Sequence, residues 1–405
     1  VADLFVARQP IFDRHRTVVA YELLFRSGLE NAFGRNDPAK ASLQMMNTTL
    51  LGFGLDALVG DKGAFFNASR DVLVNEQWAV LPARQSVIEV LETVEPDAQV
   101  VGACAALKRA GYRVALDDFV FRPEYEALLP YTDYIKVDFL ATREPDRASV
   151  ARRFAARGIQ MLAEKVENYQ EFEQGLAAGY QFFQGYFFCR PEMVTGKDIA
   201  PIKSNLLRLI QEVNRPEVDF ERLETIIKQE VALSVKLLRY LHSAGFGWKH
   251  EVATIGQALR VLGERPTRKW ASLVALTLIG EDKPAELVTT SLVRAQFCEE
   301  LGAHVPLPET RADLFLTGLL STLDALLDRP LELLLDQMSV SDEIRHALLG
   351  GDNHLGATLA LAVAYDRADW AGVEGLAGRI GFPEIQVPDA YRRAVDWVGR
   401  IFRGA

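Results

Sequence analysis

A chain of 405 residues with 49% apolar and 25% charged side chains has the balance of a folded globular protein and is long enough for two buried cores. Its formal charge of −10 excludes a general affinity for nucleic acid or an anionic membrane surface, so a phosphate-bearing ligand must be held by local cations. Cys104, Cys189 and Cys298 are odd in number and lack metal-ligand spacing, which fits reduced thiols in a cytoplasm; no apolar stretch reaches the length of a membrane span, and the opening VADLFVARQP lacks the apolar core of a signal peptide.

From residue 1 to 198, short β-branched or aromatic runs alternate with longer amphipathic ones. The spacing predicts strands over 4–8, 18–25, 64–67, 86–91, 113–118, 133–138, 159–163 and 180–183. Helical patterns fall between them at 39–54, 97–110, 147–157 and 169–178. The last three are followed by Gly111, Gly158 and Gly179, the residue that closes a helix most readily. This alternation predicts an α/β fold, a (β/α)8 TIM-like barrel. The FDRHRT segment between the first two strands is too short for a crossover helix, so one strand is predicted antiparallel.

Beyond residue 198 the strand runs vanish and Leu/Ala-rich segments with helical spacing take over. An all-α domain is predicted over 199–405. In LSVKLLRYLHSAG, Leu233, Leu237, Leu238 and Leu241 share one face. Further helices are expected near 204–213, 219–230, 254–263, 267–279, 285–301, 309–327, 341–348, 355–366, 370–379 and 388–402.

The barrel half carries a repeated signal. Glu22, Asn67, Glu89, the Asp117-Asp118 pair and Glu164 each fall at or near the C-terminal end of a predicted strand, with Lys136 and Asp138 in DYIKVD. A lone Glu at a strand end is ordinarily solvated, and Asp-Asp is ordinarily a turn or a helix cap. In a barrel, however, these strand ends converge, and so many carboxylates in one cleft repel each other unless cations lie among them. Oxygen ligands of this kind suit Mg2+ or Mn2+, and adjacent aspartates can serve two ions a few ångströms apart, as in phosphodiester hydrolysis. Lys136 can then orient water or neutralise charge on the phosphorane. Arg26 is placed to meet a phosphate and Gln184 to read a base edge.

The set Glu22-Leu23-Leu24 with Arg26, then FNAS, EVLE, DDF, IKVD, AEKVE and QGYFF, resembles the EAL domain over residues 1–198. That resemblance implies metal-dependent hydrolysis of cyclic di-GMP to linear pGpG, with two ions expected. It implies that Glu22, Asn67, Glu89 and Asp117 bind the first ion and Asp118 the second, that Lys136 is catalytic, and that Glu164 is a ligand or the general base. Glu92 is implied to steady the loop after the Asp pair, Gln184 to touch substrate, and Asp138 to support the ligands. Departures are Glu-Leu-Leu for Glu-Ala-Leu, Val120 where Gly normally follows Phe119, and Lys165 where Gly is usual. The altered loop keeps a second reading open, a receptor or scaffold that binds cyclic di-GMP without turning it over, and it bears on whether the barrel forms a homodimer.

Residues 200–405, through the LGERPTRKW segment and the helical text around GDNHLGATLALAVAYDRADW, resemble the HDOD domain, a helical relative of the HD phosphohydrolases. His242, His250, His304, His346 and His354 form no His-Asp dipeptide and no i, i+4 pair, so catalysis is not expected here. The resemblance implies a signalling module that meets a protein partner.

Overall fold

The structure, a computed structural model, describes residues 4–27, 55–191, 201–215, 217–230, 233–234, 236–237, 254–302, 311–336, 338 and 340–403. The predicted helix 39–54 and the segment 238–241 lie outside these residues. Contacts divide the chain into two compact units, one of residues 1–190, 364–374 and 383–392, the other of 191–363, 375–382 and 393–405.

In the first unit eight strands close a barrel in sequence order: β1 (Leu4–Asp13), β2 (Val18–Ser27), β3 (Gly63–Ala68), β4 (Ser86–Val90), β5 (Arg113–Leu116), β6 (Tyr134–Asp138), β7 (Gln160–Glu164) and β8 (Phe182–Gln184). Strands β2 to β8 run parallel, and β1 pairs antiparallel with both β2 and β8. The hairpin forms because Asp13 Oδ1 accepts from the main-chain N–H groups of His15 and Thr17 at 2.8 and 2.9 Å, closing the turn locally. The predicted helices appear as Ala98–Arg109, Glu144–Ala155 and Tyr169–Ala178. Asp97 and Asn168 cap the first and last of these by accepting main-chain N–H bonds, and Gly111, Gly158 and Gly179 take the left-handed φ expected of them.

Inside the barrel, Ile11, Ala20, Phe65, Val87, Ala115, Tyr134 and Leu162 form one buried apolar layer, with Phe182 packed against it. Tyr134 meets Phe65 and Phe182 edge-on, with ring centroids 5.4 and 5.7 Å apart. Side chains alternate along a strand with period two, so the next inward residue on each parallel strand lies two positions later. Those residues are Glu22, Asn67, Glu89, Asp117, Lys136, Glu164 and Gln184. On the antiparallel β1 the count runs backward from Ile11 to Gln9, which is paired in register with Glu22. An apolar floor thus carries a polar layer above it.

Tyr365, Trp370 and Tyr391 also belong to this unit. The Tyr365 hydroxyl is buried and donates to the Val6 carbonyl at 3.1 Å, and its ring lies 5.3 Å from Trp370 and 4.5 Å from Tyr391.

The described residues of the second unit are helical. Helices Pro201–Val213, Phe220–Gln229, Ile255–Leu262, Glu264–Ile279, Ala285–Leu301 and Asp342–Leu348 follow the predicted pattern. One expectation needs correction: 309–327 is not a single helix but Arg311–Leu320 and Leu323–Leu327. Ser321 Oγ donates back to the Gly318 carbonyl at 2.7 Å, and Thr322 leaves helical geometry, so local side-chain bonding ends the first segment. Leu331–Asp336 is a further short helix that the pattern did not mark. Ala285–Leu301 and Arg311–Leu320 approach so closely that a Cβ on Gly318 would lie 2.6 Å from the Arg294 carbonyl. Lys269 ties several helices together, bonding Gln296 and Glu299 while its ammonium lies 4.7 and 4.6 Å from the ring centres of Phe315 and Trp397.

Candidate metal centre at the barrel mouth

The polar layer is organised around one ammonium. Lys136 is fully buried, and its Nζ lies 2.8 Å from Glu164 Oε1, 2.9 Å from Glu89 Oε2, 2.9 Å from Asp117 Oδ1 and 3.2 Å from Glu22 Oε2. Glu22 is further held by Asn67, whose Nδ2 donates to Oε1 at 3.1 Å, and by Gln184, whose Nε2 donates to Oε2 at 2.8 Å. Gln184 also donates to Gln9 Oε1 at 3.0 Å. Alternation and strand register bring every one of these groups to the same height, although they are drawn from residues 9 to 184.

Four carboxylates, those of Glu22, Glu89 and Glu164 buried and that of Asp117 half-buried, share one cation, and the titration of the three buried acids reflects it. Burial, reinforced by Glu22, pushes the Glu89 carboxyl well above the usual carboxylate range, with Lys136 too weak to reverse it. Burial likewise drives Glu164 up to about 8, with Asp117 and Glu22 adding to the rise. Burial opposes ionisation of Glu22 too, but Lys136 and the bonds from Gln184 and Asn67 outweigh it and hold this carboxyl low. For Lys136 burial disfavours the charge, and the surrounding acids, Glu164 foremost, overcome it and raise the ammonium well above its ordinary range.

Among the described residues no three acid, imidazole or thiol groups close on one point at metal-ligand distances, since the Lys136 ammonium lies at their centre. The donor chemistry nevertheless fits a divalent cation. Asn67 Oδ1, Glu89 Oε1, Glu164 Oε2, Asp118 Oδ1 and Gln184 Oε1 are buried oxygens with no hydrogen-bond partner. Unpaired buried oxygens are costly, and a hard cation is the ligand that satisfies several at once. Of the four residues that the resemblance implies as ligands of the first ion, Asn67 and Glu89 each carry such an oxygen, while Glu22 and Asp117 lie against Lys136.

At the rim, Asp118 and Lys165 both adopt left-handed φ, 38° and 53°. A non-glycine residue there costs about 1–2 kcal/mol. Lys165 bonds Asp138, whose carboxyl burial would raise but which that bond and two main-chain donors hold low. Burial raises Asp118, with Asp117, Asp138 and Glu92 adding to it against Lys165. Glu92 itself is exposed, and it is its main-chain carbonyl that the loop's Tyr125 hydroxyl approaches, at 3.5 Å. The side chain of Arg26 lies outside the described residues.

The loop after Phe119 is packed by its own rings. Phe119 meets Tyr125 and Phe154 with centroids 5.5 and 5.2 Å apart, and Arg153 sits 3.7 Å over Phe121. Val120 is 72% exposed. Two surface clefts lie apart from the acid cluster, one beside Phe139, Arg147 and Gln174, the other at the opposite barrel end by Gly63, Gln85 and Arg113. In the helical unit His346 Nε2 lies 3.7 Å from Asp352, and His242, His250 and His304 fall outside the described residues.

Gln9 was not singled out by the sequence pattern. The signal was present: once β1 is antiparallel, the residue two before Ile11 must join the polar layer.

A closed eight-stranded barrel with one antiparallel strand and a ring of strand-end acids is the arrangement expected from the EAL resemblance. The EAL domain model matches residues 55–191, and the HDOD domain model residues 199–328. The cyclic di-GMP phosphodiesterase CdgJ of Vibrio cholerae is 36% identical over 396 residues, 97% of this chain and 92% of that protein. YuxH of Bacillus subtilis is 31% identical over 402 residues, 97% of this chain and 98% of that one. The chain therefore belongs to the family of proteins that carry an EAL domain followed by an HDOD domain. Among solved structures, Klebsiella pneumoniae BlrP1 in its calcium and cyclic di-GMP complex is 27% identical with a TM-score of 0.38, over 47% of this chain and 56% of that chain.

Proposed function

We propose that this protein is a divalent-cation-dependent phosphodiesterase that hydrolyses cyclic di-GMP to linear pGpG. The observation that carries the reading is the strand-end layer, four acids around Lys136 with unpaired buried oxygens among them. Its support from relatives is the name of the Vibrio cholerae protein. Mg2+ or Mn2+ bound to Glu22, Asn67, Glu89 and Asp117 would supply Lewis acidity toward the phosphate and acidify the attacking water.

The chain's own groups do the rest. Lys136, kept charged by the acids around it, neutralises charge that develops on the phosphorane oxygens. Glu164, whose Oε1 lies 2.8 Å from Lys136 and whose Oε2 is unpaired, would take the proton of the attacking water. Gln184 and Asn67 fix the Glu22 carboxylate so that it need not reorganise when substrate arrives. Asp138 and Glu92 would support the rim, Gln184 would meet the dinucleotide, and Arg26, by its place in the sequence, its phosphate. In this reading residues 1–198 form the catalytic domain, and residues 199–405 regulate it or bind a protein partner. The protein would act in the cytoplasm with its thiols reduced. Among the described residues no helix is long and apolar enough to cross a membrane.

A second reading, binding without turnover, draws on the loop after Phe119, where an exposed Val120 precedes a self-packed aromatic cluster. One experiment separates them: incubation of the full chain with cyclic di-GMP and Mg2+ or Mn2+, beside Glu22→Gln, with products resolved by chromatography. Formation of pGpG that falls at least ~100-fold in the variant is expected for loss of a metal ligand. Intact substrate under both metals, with the dinucleotide still bound, would replace the enzyme with a receptor.

A further inference from the structure

A second cation stands at the barrel mouth, outside the Lys136 cluster. Lys165 Nζ lies 2.5 Å from Asp138 Oδ2 and 3.6 Å from Asp118 Oδ2. Asp138 is fixed for this contact, because its Oδ1 accepts from the main-chain N–H groups of Leu140 and Ala141 at 2.7 and 3.0 Å. Asp118 presents a buried Oδ1 with no hydrogen-bond partner beside the Oδ2 that faces Lys165. The ammonium therefore sits between Asp118, the carboxylate that the Asp pair offers to a second cation, and Asp138, which anchors it.

The backbone supports the same placement. Asp118 and Lys165 are both left-handed, and the residues flanking each are pinned. The Asp117 N–H donates to Val90 and the Phe119 N–H to Lys136, at 3.0 and 2.9 Å. Likewise the Val166 N–H donates to Gln184 at 3.0 Å, and the Phe139 N–H to Glu164 at 3.0 Å. Two strained residues that face each other across an ion pair are a feature that the surrounding fold enforces rather than tolerates by accident.

We propose that the Lys165 ammonium, anchored by Asp138, takes the place of a second divalent cation at Asp118, so that this barrel binds one divalent ion where the Asp117-Asp118 pair predicts two. The inference rests on the reading of Glu22, Asn67, Glu89 and Asp117 as a cation site. A tethered ammonium competes intramolecularly, at a high effective concentration, with any ion from solution. Its side chain is 49% exposed, which leaves room for an ion supplied in excess to displace it. Lys165 is thus a positioning residue that sets metal count and charge at Asp118.

The test is Mn2+ binding to the full chain by equilibrium dialysis, with electron paramagnetic resonance as a second readout, for wild type, Lys165→Gly and Lys165→Met. Wild type is expected to take up one Mn2+ per chain with the spectrum of an isolated ion. Both variants are expected to bind a second Mn2+ at least ~10-fold more tightly than wild type, with the broadening of two coupled ions. The methionine variant keeps the side-chain length without the charge, whereas glycine also relieves the backbone, so a second site in both assigns the effect to the ammonium. Two equivalent ions in wild type, no second ion in either variant, or no Mn2+ on any of the three proteins would each overturn the proposal. Turnover of cyclic di-GMP by the same samples judges the phosphodiesterase reading separately. Turnover with two ions in wild type sinks only the Lys165 assignment, and one ion without turnover sinks only the enzyme.

Discussion

Two layers of the same barrel, built by the same strands and separated by two residues along each of them, have opposite chemistry. The lower layer, from Ile11 to Leu162, is apolar and packed. The upper one gathers four acids around Lys136. Closure and register are common to both, so the difference lies in side chains alone: the floor contributes burial free energy, and the layer above places charge where the fold gains little from it. Stability and chemistry are thus divided by height in one barrel, and substitutions at the two heights should separate them.

The largest effect is expected at Lys136. Lys136→Met leaves four carboxylates, three of them buried, without their cation and should cost the metal-free protein ~3–5 kcal/mol, the range for breaking a buried ion pair from one side. Thermal unfolding with and without Mn2+ measures it, and the added ion should recover part of the loss. If the melting temperature barely moved, the upper layer would not carry the charge conflict ascribed to it. In the floor, Leu162→Ala should cost ~2–5 kcal/mol through the cavity it leaves, while the rise in melting temperature on adding Mn2+ stays as in wild type.

The upper layer should also respond to pH in the direction of its raised acids. Glu164 has a folded-state value of about 8, above its ordinary 4.5. An acid that holds its proton more tightly when folded stabilises the fold at low pH. That contribution fades as pH rises from about 4.5 toward 8. Glu89 acts in the same sense, and Glu22, held low, opposes both. In metal-free protein, Glu164→Gln should therefore raise stability at pH 8 by roughly 1–3 kcal/mol relative to wild type, on the scale of about 1.4 kcal/mol per pKa unit, and change it little at pH 5. Urea titrations at the two pH values decide this, and equal shifts at both would remove Glu164 from the coupled cluster. The smallest effect is expected away from both layers: Tyr365→Phe removes one buried hydroxyl bond and should cost ~1 kcal/mol without altering Mn2+ binding.

Much of the barrel could be read from the chain because its signals are local. Glycines after helices, short apolar runs and the tight FDRHRT turn each report their own geometry, and so the strands and the hairpin were legible. The acid layer was legible for a related reason: period-two alternation converts a repeated strand-end position into a common height. What escaped depends on direction or distance. Gln9 joins the layer only because β1 is reversed. The two bonds that Asp138 accepts from Leu140 and Ala141 need the rim's fold, and nothing in DYIKVD announces them. The break at Ser321 turns on a hydroxyl bonding its own helix, which weak propensities within a Leu-rich run do not reveal.

Tyr365 bears on how the barrel unit is made. Its hydroxyl bonds Val6, and residues 364–374 and 383–392 belong to the barrel's unit, although residues 191–363 are synthesised in between. During translation β1 can pair with β2 and β8, but the Val6 carbonyl lacks its Tyr365 donor until those late residues leave the ribosome. A gene fragment ending near residue 198 would encode all eight strands and still leave that patch bare, so a donor of this barrel by recombination would have to bring two later scraps of chain with it.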